Sequence, residues 1–186
     1  MTGVDWLFTV AGGVALVVLG YAVVGSAGRR EWARDAGRSW ARRLGVLGAV
    51  LVAVAAGMFS VWPPGGVYVL AVAGVSAFLA GVFATAGAAG LAERAADAST
   101  LARRVRVFWY AAAVHYRATR AAFALAFVAF GLAAVVAGVT VNPIVSAVGA
   151  VSLGGVFASL LALAVVGVFV PGGYDESVAT AVRDAR

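Results

Sequence analysis

Five uncharged apolar runs constrain this chain more than any other feature of its sequence. A helix of about 20 apolar residues crosses the hydrocarbon core of a bilayer, and each run is long enough to do so. We therefore predict an all-α fold, a polytopic bundle of five transmembrane helices, in a single membrane domain covering residues 1–186. The predicted spans are residues 6–24, 44–61, 67–91, 121–140 and 145–170.

Composition supports a bilayer as the solvent of this chain. Hydrophobic residues make up 63% of it and charged residues only 12%, whereas about a quarter of a soluble domain is charged. A soluble core of this length could not hide so much apolar surface. All 14 basic residues are arginine, and this bias, with the abundance of Ala, Gly and Val, indicates a GC-rich, prokaryotic type of source.

Two kinds of connection join the predicted spans. Residues 62–66, Trp-Pro-Pro-Gly-Gly, and the pair Asn142-Pro143 are short and uncharged. Proline and glycine at these positions predict turns that fold the flanking helices into hairpins. The other two connections, residues 25–43 and 92–120, each hold six arginines against two acidic residues. The chain is thus predicted to be one helix followed by two hairpins of like orientation.

The positive connections predict the orientation in the membrane. Basic residues in short loops mark the cytoplasmic side, and residues 25–43 and 92–120 fall on the same side of a five-helix bundle. We expect a multi-pass protein of the cell membrane with its N-terminus outside and its C-terminal tail, residues 171–186, in the cytoplasm. A cleaved first helix is the alternative, but a signal peptide begins with positive charge and this chain begins with Asp5.

The arginines of the two basic connections follow helical spacing, with aromatic residues between them. This pattern predicts two short amphipathic helices at the cytoplasmic interface. Clustered arginines at this depth attract anionic lipid headgroups, each by about 1 kcal/mol. Ordinary positive-inside topology explains the same pattern. The candidate contacts with anionic lipids or a partner are Arg30, Arg34, Arg38, Arg42, Arg103, Arg106, Arg117 and Arg120.

Three helices carry glycines seven residues apart, which places each pair on one helix face. The pairs are Gly13 and Gly20, Gly74 and Gly81, and Gly131 and Gly138. Small residues on a face let neighbouring helix backbones approach closely in a membrane. The pairs therefore predict packing inside the bundle or, alternatively, a surface for a protein partner or for a second copy of the chain.

The sequence offers little for catalysis. None of the predicted spans holds Asp, Glu, Lys, Arg or His, the chain has no cysteine, and His115 is its one histidine. Proton relays and ion pathways need ionisable groups at membrane depth, and a serine nucleophile needs a nearby base. We therefore expect no enzyme, no catalytic residues, no cofactor and no bound metal. Both basic segments are tethered to the membrane, so nucleic acid is not an expected partner.

A faint repeat adds an alternative function. Val75-Ser76 and Gly81 to Ala84 in the third span are matched by Val151-Ser152 and Gly155 to Ala158 in the fifth. We expect a non-enzymatic structural, accessory or partner-binding subunit. The alternatives are a transporter or channel, whose cavity Ser76 and Ser152 would line together, and an enzyme for lipid headgroups, with Glu93 or Asp97 beside His115.

Overall fold

Five α-helices form the described part of the chain. The computed structural model describes residues 3–27, 31–95, 100, 116–168 and 180, and no strand occurs among them. The all-α prediction is therefore confirmed. The helices are α1 (Gly3–Ala27), α2 (Glu31–Val61), α3 (Pro63–Ala95), α4 (Tyr116–Gly138) and α5 (Pro143–Val168).

Four of these helices contain a stretch long and apolar enough to cross a membrane. The stretches are Ser39–Val61, Pro63–Ala86, Arg117–Gly138 and Pro143–Ala164. In α1 the apolar stretch that qualifies is shorter, Asp5–Gly20. The composition and lengths of the helices are those of a membrane protein, and the fifth crossing, by α1, stays a prediction.

The first predicted turn is tighter than the sequence indicated. Trp62 alone separates α2 from α3, and Pro63, Pro64, Gly65 and Gly66 form the first turn of α3 rather than a loop. Proline is tolerated there because the first backbone N–H groups of a helix have no intrahelical acceptor. A Cβ on Gly66 would lie 2.6 Å from the ring of Phe59. Glycine at this position therefore makes room for the end of α2.

The second turn follows the prediction closely. Residues 139–142 connect α4 to α5, and the side-chain Oδ1 of Asn142 accepts a hydrogen bond from the backbone N–H of Ile144 at 2.9 Å. Asparagine in this place caps an exposed N–H group of the new helix. Pro143 occupies the first helical position, where its fixed φ angle suits a helix.

Helix α2 differs from the prediction at its beginning. The basic segment 25–43 is predicted to form a separate interfacial helix, whereas in the structure Glu31–Val61 is one continuous helix of 31 residues. No glycine or proline stands between Ser39 and Leu44 to interrupt it, and alanine, arginine and leucine all favour a helix. At 1.5 Å per residue α2 is about 46 Å long, which exceeds a hydrocarbon core of about 30 Å.

Helix α3 lies at the centre of the bundle and packs against all four other helices. In its apolar stretch 56% of the residues are buried, against 11% in that of α2. Helix α1 runs parallel to α3, since Phe8 lies near Ala71 and Gly20 lies near Val82. The beginnings of α2 and α4 therefore share one end of the bundle, and both short turns lie at the other end.

Candidate functional site

At the interface between α3 and α4, phenylalanine rings of α4 pack against glycines of α3. A Cβ on Gly74 would lie 2.6 Å from the ring of Phe130, and one on Gly81 would lie 2.8 Å from the ring of Phe123. Both rings are buried, and Phe123 also meets Phe78 edge to face, with 5.4 Å between the ring centroids. The missing glycine side chains make the space that the rings fill. This contact fixes the position of α4 on α3.

A hydrogen bond and small residues hold α2 on the other side of α3. The Ser76 hydroxyl donates to the backbone carbonyl of Leu44 at 2.8 Å. Gly48 lies close to the carbonyl of Ala73, which a Cβ on that glycine would approach to 3.3 Å. Interhelical hydrogen bonds and small residues are the usual means of helix association in a membrane. Both α2 and α4 thus pack on α3, and they barely touch each other.

An apolar cleft remains between α2 and α4, and we call it the α2–α4 cleft. Its volume is about 590 Å³, within the range of about 300–1,000 Å³ typical of small-molecule sites. Ala80 and Ala84 of α3 form its floor, and Arg42 is its one charged lining residue. The walls are built from small or aliphatic residues of α2 and α4: Ala41, Gly45, Val46, Ala118, Ala121, Ala122 and Leu125.

Exposed arginines lie near the α2–α4 cleft, at the end of the bundle where α2 and α4 begin, and of these only Arg42 is a lining residue of the cleft. Arg43 follows Arg42 on α2, while Arg117 and Arg120 directly precede the lining residues Ala118 and Ala121 on α4. All four arginines are exposed. The guanidinium carbon of Arg43 lies 5.7 Å from the centre of the Trp40 ring, within the distance for a cation–π contact. We call these four arginines the basic rim.

The structure brings together three of the eight arginines that the sequence singled out, namely Arg42, Arg117 and Arg120. Arg34 and Arg38 lie on α2 before Arg42, and only their backbone is described. Three more lie outside the described residues, as does most of the second predicted interfacial helix: Arg30, Arg103 and Arg106.

Sequence reasoning missed the cleft itself and the arginine next to it, Arg43. The available signal was a stripe of three alanines and a leucine on α4, at positions 118, 121, 122 and 125, beside Arg117. Helical spacing of i, i+3, i+4 and i+7 puts such residues on one face. Attention to glycine alone left this alanine face unnoticed.

The three glycine pairs have different surroundings. Gly74 and Gly81 receive the rings of α4, and a Cβ on Gly13 would lie 3.2 Å from the carbonyl oxygen of Gly154. The packing prediction is therefore confirmed for α3 and for α1. Nothing lies within 4 Å of the position that a Cβ would take on Gly131 or Gly138. A partner or a second copy of the chain at these two glycines stays a prediction.

The two serines of the faint repeat do not line a common polar path through the described bundle. Ser152 donates to the Val148 carbonyl of its own helix at 2.8 Å, whereas Ser76 bonds across to α2. Ser152 borders an apolar cleft at the surface with Phe8 and Ile144, and Ser76 does not border that cleft. The centre of the described bundle is filled instead by a cluster of apolar side chains around Phe78, Phe123 and Phe130. These contacts give no support to a central pathway within one copy, and a pore between copies stays a prediction.

The enzyme alternative depends on residues that are not described. Asp97 and His115 lie outside the described residues, and only the backbone of Glu93 is described. Among the described residues, no group of three or more His, Asp or Glu side chains is placed to hold a metal ion. The proposed carboxylate–histidine pair therefore remains a prediction.

Comparison with known proteins adds no relatives. No protein-family model matches the chain, and searches of curated proteins and of solved structures return no significant match. Function is therefore inferred from the chemistry of the α2–α4 cleft and its basic rim.

Proposed function

We propose that the protein is a non-enzymatic structural or accessory component of the membrane whose basic end contacts anionic lipid headgroups on the cytoplasmic side. One observation carries this proposal: Arg42, Arg43, Arg117 and Arg120 are exposed at the same end of an otherwise apolar bundle. Arginine is suited to this contact because its guanidinium binds phosphate through two parallel hydrogen bonds.

Lipid selectivity tests the proposal. We expect the reconstituted protein to prefer spin-labelled phosphatidylglycerol over spin-labelled phosphatidylcholine, as measured by electron spin resonance. Each arginine near the surface contributes about 1 kcal/mol, which is about fivefold in binding. The double variant Arg43→Gln and Arg117→Gln should therefore lose most of the preference, and high salt should weaken it.

A matched variant controls for net charge. Replacing Arg183 and Arg186 in the C-terminal tail by glutamine removes the same two charges without touching the basic rim. This variant should keep the preference of the unaltered protein. Equal loss in both double variants, or no preference in the unaltered protein, would reject the basic rim as a headgroup contact.

Orientation can be tested with single cysteines, because the chain contains none. Val141, in the turn between α4 and α5, is fully exposed, and Thr180 in the tail is exposed as well. In intact cells a membrane-impermeant maleimide should label Val141→Cys and should leave Thr180→Cys unlabelled until the cells are opened. The reverse pattern would place the basic rim outside.

A further inference from the structure

We propose that the α2–α4 cleft binds one acyl chain of an anionic phospholipid and that Arg42 contacts the phosphate of the same lipid. This inference rests on the proposed function, since it assigns a defined lipid position to the basic rim. The proposed function assigns a charged surface to the end of the bundle. The present proposal adds a lipid-binding site in the membrane-spanning part beside that surface.

The shape of the cleft favours a flexible apolar chain. Helices α2, α3 and α4 bound it on three sides, and among the described residues its remaining side is open, since α2 and α4 hardly touch. Its lining from Gly45 to Leu125 is apolar, and apolar cavities do not hold water. In a bilayer, the acyl chains of neighbouring lipids are the apolar groups that can enter from the open side.

The lining residues explain why the space exists. Ala80 and Ala84 on the floor face Ala118, Ala121 and other small residues on the walls. An empty space of this size forfeits the dispersion contacts of all the atoms that line it. An acyl chain in the cleft restores those contacts without any movement of the helices.

Charge complementarity selects the lipid class. Arg42 is both a lining residue of the cleft and an exposed residue, and it lies three residues into the membrane-spanning stretch that begins at Ser39. A long arginine side chain at this depth extends towards the headgroup layer. Arg43, Arg117 and Arg120 are exposed at the same end of the bundle and add positive charge there. This favours a lipid with net negative charge over a zwitterionic one.

Photolabelling in liposomes tests the site directly. The probes are phosphatidylglycerol and phosphatidylcholine that carry a diazirine on one acyl chain, and the labelled peptides are mapped by mass spectrometry. Phosphatidylglycerol should label residues 41–46, 80–84 and 118–125 several-fold more strongly than the outer face of α2 around Ala53, which is exposed. The phosphatidylcholine probe should label the cleft much less.

Two variants separate the chain from the headgroup. The double variant Ala84→Leu and Ala121→Leu fills the cleft and leaves every charge in place, so cleft labelling should fall about tenfold. Ala53→Leu, the matched control on the outer face of α2, should leave cleft labelling unchanged. Arg42→Gln should reduce cleft labelling by phosphatidylglycerol to the level of phosphatidylcholine. Size-exclusion chromatography and circular dichroism confirm that each variant is folded.

The outcomes distinguish this site from the proposed function. Uniform labelling around α2, or equal cleft labelling by both lipids, would overturn the acyl-chain site even if spin-labelled phosphatidylglycerol is still preferred. If the unaltered protein shows no preference for spin-labelled phosphatidylglycerol, the proposed function itself is rejected. A cross-linked dimer with the cleft covered by a second copy would also overturn the lipid site. Unchanged labelling after the cleft is filled would do the same.

Discussion

Helix α4 has one closed side and one open side, and small residues of α3 lie beside both. On the closed side, Phe123 and Phe130 fill the spaces above Gly81 and Gly74. On the open side, the floor of the α2–α4 cleft carries alanines, and α4 opposes it mainly with alanine. Between α3 and α4, small residues therefore form a closed interface where the opposing helix supplies a large side chain.

The physical reason is the absence of a hydrophobic drive between helices in lipid. Helices in a membrane associate through van der Waals packing and interhelical hydrogen bonds, and both need atoms in contact. The aromatic rings provide many such contacts with α3. Across the cleft, α2 and α4 present mostly small or aliphatic residues and barely touch each other, so lipid can compete for the space between them.

Removing an aromatic ring from the closed side of α4 should change the free energy of unfolding most. Phe130 is 2% exposed and packs against glycines of both α3 and α5. Phe130→Ala should destabilise the bundle by about 3 kcal/mol, the lower end of the range for buried phenylalanine. The lower end applies because lipid is as apolar as the protein core, so the substitution loses packing contacts but no free energy of transfer from water. Unfolding in sodium dodecyl sulfate, followed by circular dichroism, measures the change.

The matched control for the ring is Phe157 on α5, which is 55% exposed. Phe157→Ala should change the free energy of unfolding by well under half as much as Phe130→Ala. Equal effects of the two substitutions would mean that the closed side is no tighter than the outer surface of the bundle.

Adding a methyl group to a glycine of α3 or α4 should change stability less, and the sign of the change should depend on which glycine is replaced. A Cβ on Gly81 would lie 2.8 Å from the Phe123 ring, so Gly81→Ala should destabilise the fold by about 1–2 kcal/mol through overpacking. Gly131 has open space at its Cβ position, and Gly131→Ala should be neutral or stabilise by up to about 1 kcal/mol. The melting temperature in detergent compares the two variants.

If Gly131→Ala destabilises the protein as much as Gly81→Ala, the outward face of α4 is covered by something other than lipid. Such a result, with a change in oligomeric size, would favour the predicted contact between copies of the chain.

Replacing the two serines of the faint repeat by alanine should change the free energy of unfolding least. Ser76→Ala removes a bond to α2, and interhelical hydrogen bonds of this kind contribute about 0.6 kcal/mol on average in a membrane. Ser152→Ala removes only a bond to its own helix and should leave the free energy of unfolding nearly unchanged. A larger loss for Ser152→Ala in the same assay would contradict the roles assigned to the two hydroxyls.

Much of the helix pattern followed from local signals. Proline at 63 and at 143 predicted the two short turns, and long apolar runs predicted the helices themselves. The sequence was less informative at Arg43, where a change from polar to apolar residues suggested a boundary. The backbone continues through it because helix formation depends on local propensity rather than on polarity.

The candidate site was only partly predictable. Helical spacing grouped Arg42 with other arginines on α2, but it could not show that Arg42 lines an apolar cleft between α2 and α4. The repeat also proved a poor guide to contacts, since Ser76 and Ser152 bond to different kinds of partner. Gly81 and Gly155 both receive a ring from α4, yet α4 is the hairpin partner of α5 alone.

The sequence by itself determined that this chain forms long apolar helices with arginine concentrated between them, because hydropathy and helix propensity are properties of neighbouring residues. Only the tertiary structure decided which glycine meets a ring and which meets open space, since that depends on how helices are set against α3. The α2–α4 cleft, too, could be found only in the tertiary structure. It exists because α2 and α4 pack on α3 without closing on each other, and the residues that face the gap are mostly small, with Arg42 among them.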